Sequence, residues 1–464
     1  MESAKVITLR CWLMVVICVF LTTTCPAQTS PSDKEVVAGT DAYMNALVRL
    51  ERFSGSVLVA RKGQVLVSKG YGFANLEQNV PNTPQTKFRL GSVSKQFNAT
   101  AIMLLQQQGK LSVQDSVCKY VPACPSAWQP VTIHHLLTHT SGIPSYTEFP
   151  DNDDFERKPM TVTATIERFK NKPLEFKPGE RFHYDNSGYA LLGYIVELVS
   201  GKSYEEFLRE NIFAPLGMVN SGYDHPQTIL KHRAAGYARR RGTLVNATYM
   251  EMDTPFSGGA LYSTVEDMYL WDQALDTEKL LKRQSLDAMF TASTDAEFGW
   301  HGYTRYGYGW HIMRQFNRRL VYHTGHIPGF VAYIGRYLDD RVSIIILSNR
   351  EDASVRRASR DLAAMVFGQK YNLPRTSPKV AAHILDAYVG QYQLPDGFLF
   401  TITREDDKLI VILGQGRFEL FPQSEKEFEL FLPDADDQLM FVPDEKGHVG
   451  HMLINWDTQA KKIK

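Results

Sequence analysis

The chain is 464 residues long, 44% apolar and 11% aromatic, which is enough to fill the cores of two or three domains and excludes a disordered polypeptide. Lysine and arginine total 51 and aspartate and glutamate 51, a balance that recommends neither nucleic acid nor an anionic membrane as partner. The first residues read as an address. Lys5 and Arg10 flank the start of an apolar run over 11–21, and Cys25-Pro26-Ala27-Gln28 supplies small residues for cleavage. The pattern predicts a signal peptide over 1–27 cut after Ala27, hence a secreted or periplasmic protein. A membrane anchor needs about 20 apolar residues, so no stable span is expected after cleavage. Lipidation at Cys25 is the lesser alternative, because Thr24 is a poor residue to precede a lipid-bearing cysteine. The mature chain keeps only Cys118 and Cys124, a pair expected to close a small loop in an oxidising compartment.

Residues 35–53 predict a helix, and 56–60 with 64–70 a β-hairpin around Lys62-Gly63. Beyond a loop rich in Asn, Pro and Thr comes Phe88-Arg89-Leu90-Gly91-Ser92-Val93-Ser94-Lys95. Val93, Phe97, Ala101, Ile102, Leu104 and Leu105 follow at helical spacing until Gly109 ends the run. Ser92 therefore sits in the first turn of a helix, and residues three apart share a face, so its hydroxyl and the Lys95 amine meet. A serine hydroxyl becomes nucleophilic only when a base takes its proton, which a lysine does once its charge is suppressed. A second copy of the pattern, Ser116-Val117-Cys118-Lys119, lacks the apolar stripe and is read as a loop.

His135 and His139 stand four apart on a predicted helix, a metal-ligand spacing, but no Glu occupies the position a zinc hydrolase needs. They are read as structural, with no metal and no cofactor expected. Residues up to about 281 are mostly helical, including 189–200 ending at Gly201 and 204–212 ending at Pro215. Strands follow at 307–312, 319–323, 330–337 and 341–348, then a helix over 354–367. Strands at both ends with helices between imply an α/β (α+β) domain over 28–370: an antiparallel sheet flanked by helices, with a helical insert that carries the serine. Residues 371–382 read as a linker, and 383–464 as a small all-β, barrel-like domain with strands at 399–404, 409–413, 418–421, 428–432, 439–442 and 450–456.

A serine hydrolase also needs a proton relay and donors for an oxyanion. Tyr184-Asp185-Asn186, just before a helix, is the first candidate; its other copy, Tyr43-Met44-Asn45, lies in the first predicted helix. The second is His323-Thr324-Gly325-His326, at the end of a strand, where Gly325 lets substrate approach and the next N–H pairs with that of Ser92.

Together these three elements resemble the motifs of the serine β-lactamase and penicillin-binding-protein superfamily, specifically its class C β-lactamase-like branch. Supporting stretches are His135-Leu136-Leu137-Thr138-His139-Thr140-Ser141-Gly142, Gly258-Gly259-Ala260-Leu261-Tyr262-Ser263-Thr264 and Tyr306-Gly307-Tyr308-Gly309-Trp310. The resemblance covers roughly residues 35–368. It implies the β-lactamase/transpeptidase-like fold and an acyl-enzyme on Ser92, with Lys95 and Tyr184 sharing the relay. Asn186 would orient Lys95 and substrate, Thr324 would line the cleft, and the Ser92 and His326 N–H groups would hold the oxyanion. The C-terminal module resembles the lipocalin-like β-domain appended to such hydrolases. One departure matters: class C enzymes begin the third motif with lysine, where this chain has His323, mostly neutral at pH 7. That favours an esterase or D-amino-acid peptidase over an efficient β-lactamase. β-Lactamase, D,D-carboxypeptidase and a non-turnover penicillin-binding or sensor module are the alternatives. The expected partner is a small ester, amide, peptide or β-lactam; oligomeric state is not readable.

Overall fold

Two largely apolar runs at opposite ends of the N-terminal domain, β1 (Gly55–Arg61) and a strand at Val342–Ser348, pair with each other along their whole length, Val57 opposite Ile346. This computed structural model describes residues 31–464 except 241, 298–302, 377, 396, 414–415, 433–434, 445–446 and 455–457; the predicted signal peptide lies outside them. With β2 (Gln64–Tyr71), β3 (Thr294–Glu297), β4 (Tyr303–Tyr306), β5 (His311–Gln315), β6 (Arg318–Ile327), β7 (Phe330–Tyr337) and β8 (Val342–Ser348), the order is β3-β4-β5-β6-β7-β8-β1-β2, antiparallel throughout. The chain's beginning thus completes the sheet made by residues far downstream.

Alternation explains the unbroken apolar runs. Val57, Val59, Ile344 and Ile346 face a layer formed by α1 (Asp33–Arg49) and a C-terminal helix at Val355–Phe367, through Tyr43, Met44, Leu362 and Met365. Leu58, Ala60, Ile345 and Leu347 face the helical insert on the other side. A strand buried on both faces needs apolar side chains at every position.

At the centre of the insert lies α2 (Lys95–Gln107), whose residues from Lys95 to Leu105 are all buried, continuous with a 3₁₀ turn over Gly91–Ser94. Gly109, at φ 71°, turns the chain after it. Packed against α2 is α3 (Asn186–Ser200), which starts at a buried Asp185 whose carboxylate accepts the Gly188 N–H and stops at Gly201 in the left-handed conformation.

Three local expectations are corrected. The helix from Tyr204 does not stop before Pro215: a wide turn over Arg209–Phe213 carries it on to Leu216, and Gly217 at φ 75° ends it. The wide turn accommodates a proline with no N–H to give. Residues 307–310 form a turn instead of a strand, because Gly309 at φ 77° passes against the Lys95 backbone, where an added Cβ would lie 2.9 Å from its carbonyl oxygen. The helix at Ile133–Leu137 is too short to include His139, which has φ 57°, so the two histidines do not share a helical face.

The C-terminal strands close into an eight-stranded antiparallel barrel, from Gly390–Gln393 to Thr458–Lys462, with Tyr392 opposite Lys462 at the seam. Closure leaves no free strand edge. The sequence reading missed the first and the last of these strands and the preceding helix Ala382–Tyr388, whose Tyr388 ring stacks on Phe441 at 4.0 Å inside the barrel mouth. The two domains join through a buried chain of charges: Tyr43 donates to Asp361 at 2.7 Å, Arg357 binds Asp361 at 3.0 Å and also grips Glu429 of the barrel. The expected Cys118–Cys124 disulfide is present, with Cα atoms 5.2 Å apart.

Candidate active site

The turn holding Ser92 and the strand β6 meet backbone to backbone. Gly91 has φ +51°, and a Cβ there would lie 2.8 Å from the His326 nitrogen. A Cβ on Gly325 would lie 1.9 Å from the Leu90 carbonyl oxygen and 3.1 Å from the Ser92 nitrogen. Only glycine fits at either position. The other edge of β6 pairs with β5 only as far as Tyr322. In the β6–β7 hairpin Ile327 stands opposite Phe330, so the ladder's alternation turns the His326 N–H away from β7, toward the Ser92 turn.

Lys95 is completely buried. Its Nζ lies 3.0 Å from Ser92 Oγ, 2.8 Å from Asn186 Oδ1 and 3.1 Å from the Gly258 carbonyl oxygen. Two of these neighbours, the amide oxygen and the backbone carbonyl, can only accept. A neutral amine that donates its two N–H groups to them keeps its lone pair for the Ser92 hydroxyl. The Asn186 amide is oriented from behind, its Nδ2 donating to Thr147 Oγ1 at 3.0 Å. The Lys95 Nζ also stands 5.0 Å above the centre of the Tyr184 ring.

The two rival copies are disposed of by their surroundings. Ser116 donates to the Gln129 carbonyl at 2.8 Å, while Lys119 lies largely in solvent and pairs with Asp115 at 2.9 Å, which raises its pKa. Tyr43 is spent on Asp361, and Asn45 donates to the Asp41 carbonyl at 2.8 Å.

His139 braces Tyr184. Its ring lies 4.3 Å from the Tyr184 ring, its carbonyl accepts the His183 N–H at 2.8 Å, and its Nδ1 accepts the Asp185 N–H at 3.0 Å. The residues on either side of the tyrosine are thereby anchored by their N–H groups. Burial, followed by the Lys95 charge, holds the His139 pKa well below its usual value, as a ring that accepts a backbone proton requires. The sequence signal was present in the stretch from His135 to Gly142, but spacing alone does not reveal the contact.

Thr324 and Gly325 stand on the strand facing the Ser92 turn, and Thr324 is buried. His323 is only 1% exposed, behind the cleft wall, 6.4 Å ring to ring from Tyr184. Its Nδ1 donates to the Thr324 carbonyl at 2.5 Å, and its Nε2 accepts from the Tyr306 hydroxyl at 3.0 Å. Burial and then the Lys95 charge push its pKa down to about 3, so the ring is neutral. Among the described residues one group has metal-ligand spacing, Glu148, Glu175 and His183; His183 reaches the two carboxylates at 3.3 and 2.6 Å, and these ion pairs account for it.

Above Ser92 opens a cleft of about 300 Å³ whose walls include Asn186, Glu156, Met250, Thr254 and His326. A nucleophile turn with a buried lysine, a Tyr-Asp-Asn start to a helix and a His-Thr-Gly strand edge, all at the seam of an antiparallel sheet and a helical insert, are the marks of the serine β-lactamase and penicillin-binding-protein class. Residues 40–368 match the family model described as Beta-lactamase, and the chain belongs to that family, whose members are generally serine hydrolases. Residues 374–464 match a domain of unknown function, DUF3471.

Among individual proteins, the chain is 33% identical over 404 residues to penicillin-binding protein 4* of Bacillus subtilis (strain 168), covering 82% of this chain and 88% of the relative. It is similar in structure to the octameric penicillin-binding protein homologue from Pyrococcus abyssi, with TM-score 0.68 and 28% identity over 92% of this chain and all of that one. The D-amino acid amidase from Ochrobactrum anthropi SV3 shares the fold, with TM-score 0.65 and 23% identity over 72% of this chain and 98% of that one. Among the described residues no helix is long and apolar enough to cross a membrane.

Proposed function

We propose that the protein is a secreted serine hydrolase that cleaves an ester or amide, of esterase or D-amino-acid peptidase type, through an acyl-enzyme on Ser92. The observation that carries the reading is the buried Lys95 amine, 3.0 Å from Ser92 Oγ, with two acceptors to take its N–H groups. Lys95 and Tyr184 share the proton relay; two groups this close titrate as a pair. As Ser92 Oγ attacks the carbonyl, its proton passes to that pair and later returns to the leaving group. The Ser92 and His326 N–H groups receive the oxyanion, Asn186 orients Lys95 and the substrate, and Thr324 lines the cleft. Secretion is supported by the disulfide between Cys118 and Cys124, which an oxidising compartment maintains, and by the leader pattern over 1–27.

Preference for esters and D-aminoacyl substrates over β-lactams is supported by His323, a buried neutral ring where class C enzymes present a cation to the substrate carboxylate. The test is a panel of a p-nitrophenyl ester, a D-aminoacyl p-nitroanilide, a chromogenic cephalosporin and a D-Ala-D-Ala peptide. The expected result is a kcat/KM at least about 100-fold higher for one of the first two than for the cephalosporin. A cephalosporin or D-Ala-D-Ala peptide turned over fastest would replace the reading with β-lactamase or D,D-carboxypeptidase. An acylation burst without steady turnover would indicate a sensor.

A further inference from the structure

Where β6 passes Ser92 it has one neighbour in the sheet: its pairing with β5 ends at Tyr322, while β7 accompanies it to Ile327, and the turn Pro328-Gly329 follows at once. The His326 N–H lies on the edge left open, its nitrogen so near Gly91 that a Cβ there would come within 2.8 Å of it. A shift of the turn therefore carries this donor with it. On one side of the hairpin Ile327 and Phe330 are buried in the core. On the other, His326, Arg240 and Glu351 border a cavity of about 900 Å³ between the N-terminal domain and the barrel, so open space backs the turn there. Glu351 bridges that space. Its Oε2 accepts the Gly329 N–H at 2.8 Å, and its Oε1 accepts from Arg240 Nη1 at 2.5 Å. The Glu351 side chain is 11% exposed and that of Arg240 54%, so the bond to the backbone is the sheltered one and the ion pair meets solvent. The Glu351 backbone is itself fixed, its N–H donating to the Tyr237 carbonyl at 3.0 Å and the Tyr237 N–H to the Asn349 carbonyl at 2.9 Å. Gly329, at φ 82°, presses on Gly236 and Ala247, to which a Cβ would come within 2.7 Å, so no side chain at that position could take over the anchoring.

We propose that Glu351 is a positioning residue for the reaction at Ser92: by accepting the Gly329 N–H it fixes the turn that follows His326, and so holds the His326 N–H at the place where the oxyanion forms. The inference rests on the reading of Ser92 as nucleophile and of the Ser92 and His326 N–H groups as oxyanion donors, and deepens it with a residue that touches neither nucleophile nor substrate. A preorganised donor stabilises developing charge only while its direction is fixed. The carboxylate therefore acts on the tetrahedral state more than on the bound substrate, and its loss appears in kcat rather than in KM.

Three substitutions separate the backbone bond from the ion pair. Glu351→Gln keeps an oxygen for the Gly329 N–H and loses the charge; Glu351→Asp keeps the charge for the long Arg240 side chain but draws it back from Gly329; Glu351→Ala loses both. With the preferred ester or amide, kcat is expected to fall by about tenfold to 100-fold in Glu351→Asp and Glu351→Ala, with KM within about twofold, and to stay within about threefold of the parent in Glu351→Gln. An arylboronic acid, whose tetrahedral adduct on Ser92 directs an oxygen to the same donors, loses affinity by a comparable factor in Glu351→Asp and Glu351→Ala only. Hydrogen–deuterium exchange of the intact protein, read on the peptide over 323–331, quickens in those two and keeps the parent rate in Glu351→Gln. Thermal unfolding is followed alongside, because a merely structural ion pair would cost Glu351→Gln as much stability and activity as Glu351→Ala. That result overturns the proposal, as does a parent-like kcat or exchange rate in Glu351→Asp. Absence of hydrolysis and of boronate binding in the parent would instead sink the hydrolase reading, and the exchange comparison would still decide whether Glu351 holds the turn.

Discussion

Replacing Lys95 by methionine is expected to lower kcat/KM for the preferred ester or amide by about 10³- to 10⁴-fold, with the loss in kcat. Methionine matches the length of the lysine stem and suits a helix, so α2 is retained. What disappears is the amine 3.0 Å from Ser92 Oγ, proposed to share the proton relay with Tyr184. The hydroxyl then keeps only the Tyr184 half of the proposed relay, and the remaining catalysis comes from that phenol, the oxyanion donors and positioning. The Asn186 amide oxygen and the Gly258 carbonyl lose their donor as well, which costs about 1–3 kcal/mol for each group left unsatisfied. Thermal unfolding reads that loss separately from the kinetics. A Lys95→Met enzyme within tenfold of the parent would remove the amine from the relay.

His323→Lys installs the residue that class C enzymes carry at the third motif, and it is expected to destabilise the protein by roughly 3 kcal/mol or more without creating a cephalosporinase. The position is 1% exposed and close enough to Lys95 for that charge to depress the histidine pKa. A lysine there loses the bond to the Thr324 carbonyl, displaces the partner of the Tyr306 hydroxyl and buries a cation close to the Lys95 amine. Thermal denaturation and cephalosporin turnover check it together. A variant as stable as the parent that hydrolyses the cephalosporin would mean that this side chain reaches the substrate.

The same burial sets a pH dependence. His323 has a pKa of about 3 in the fold and about 6.5 when unfolded, so below about pH 6.5 the unfolded chain takes up a proton that the native ring refuses. Its contribution is fully present above that pH and falls by about 1.4 kcal/mol per unit as the solution is acidified toward 3. His139 and His311, held well below their usual values by burial, act in the same direction. Asp185, raised to about 7 chiefly by burial, acts in the opposite direction between about pH 7 and 4.

What the sequence made legible were features with local causes. The apolar stripe after Ser92 and the glycine behind it define α2, and the runs at 56–60 and 341–348 announce strands buried on both sides. The motif order pointed to convergence; Lys95 lies within hydrogen-bond distance of Ser92 and Asn186, while the His323 ring is buried 6.4 Å from that of Tyr184. Features with tertiary causes stayed hidden. The turn at 307–310 exists because Gly309 must pass the Lys95 backbone, nearly the whole insert away in sequence. His139 owes its place to four aromatic rings, those of Phe182, Tyr184, Tyr189 and Tyr306, that no spacing rule brings together. The third motif suggests a side chain in the cleft, whereas the fold turns His323 into the interior and leaves the exposed position to His326.

The central claim is that one serine among many forms a covalent intermediate. Treating the purified enzyme with a fluorophosphonate and locating the adduct by peptide mass spectrometry tests it most directly. A single modified residue, Ser92, is expected, with labelling lost in Ser92→Ala and kept in Ser116→Ala; an adduct on Ser116, on another residue, or on none would contradict a Ser92 acyl-enzyme.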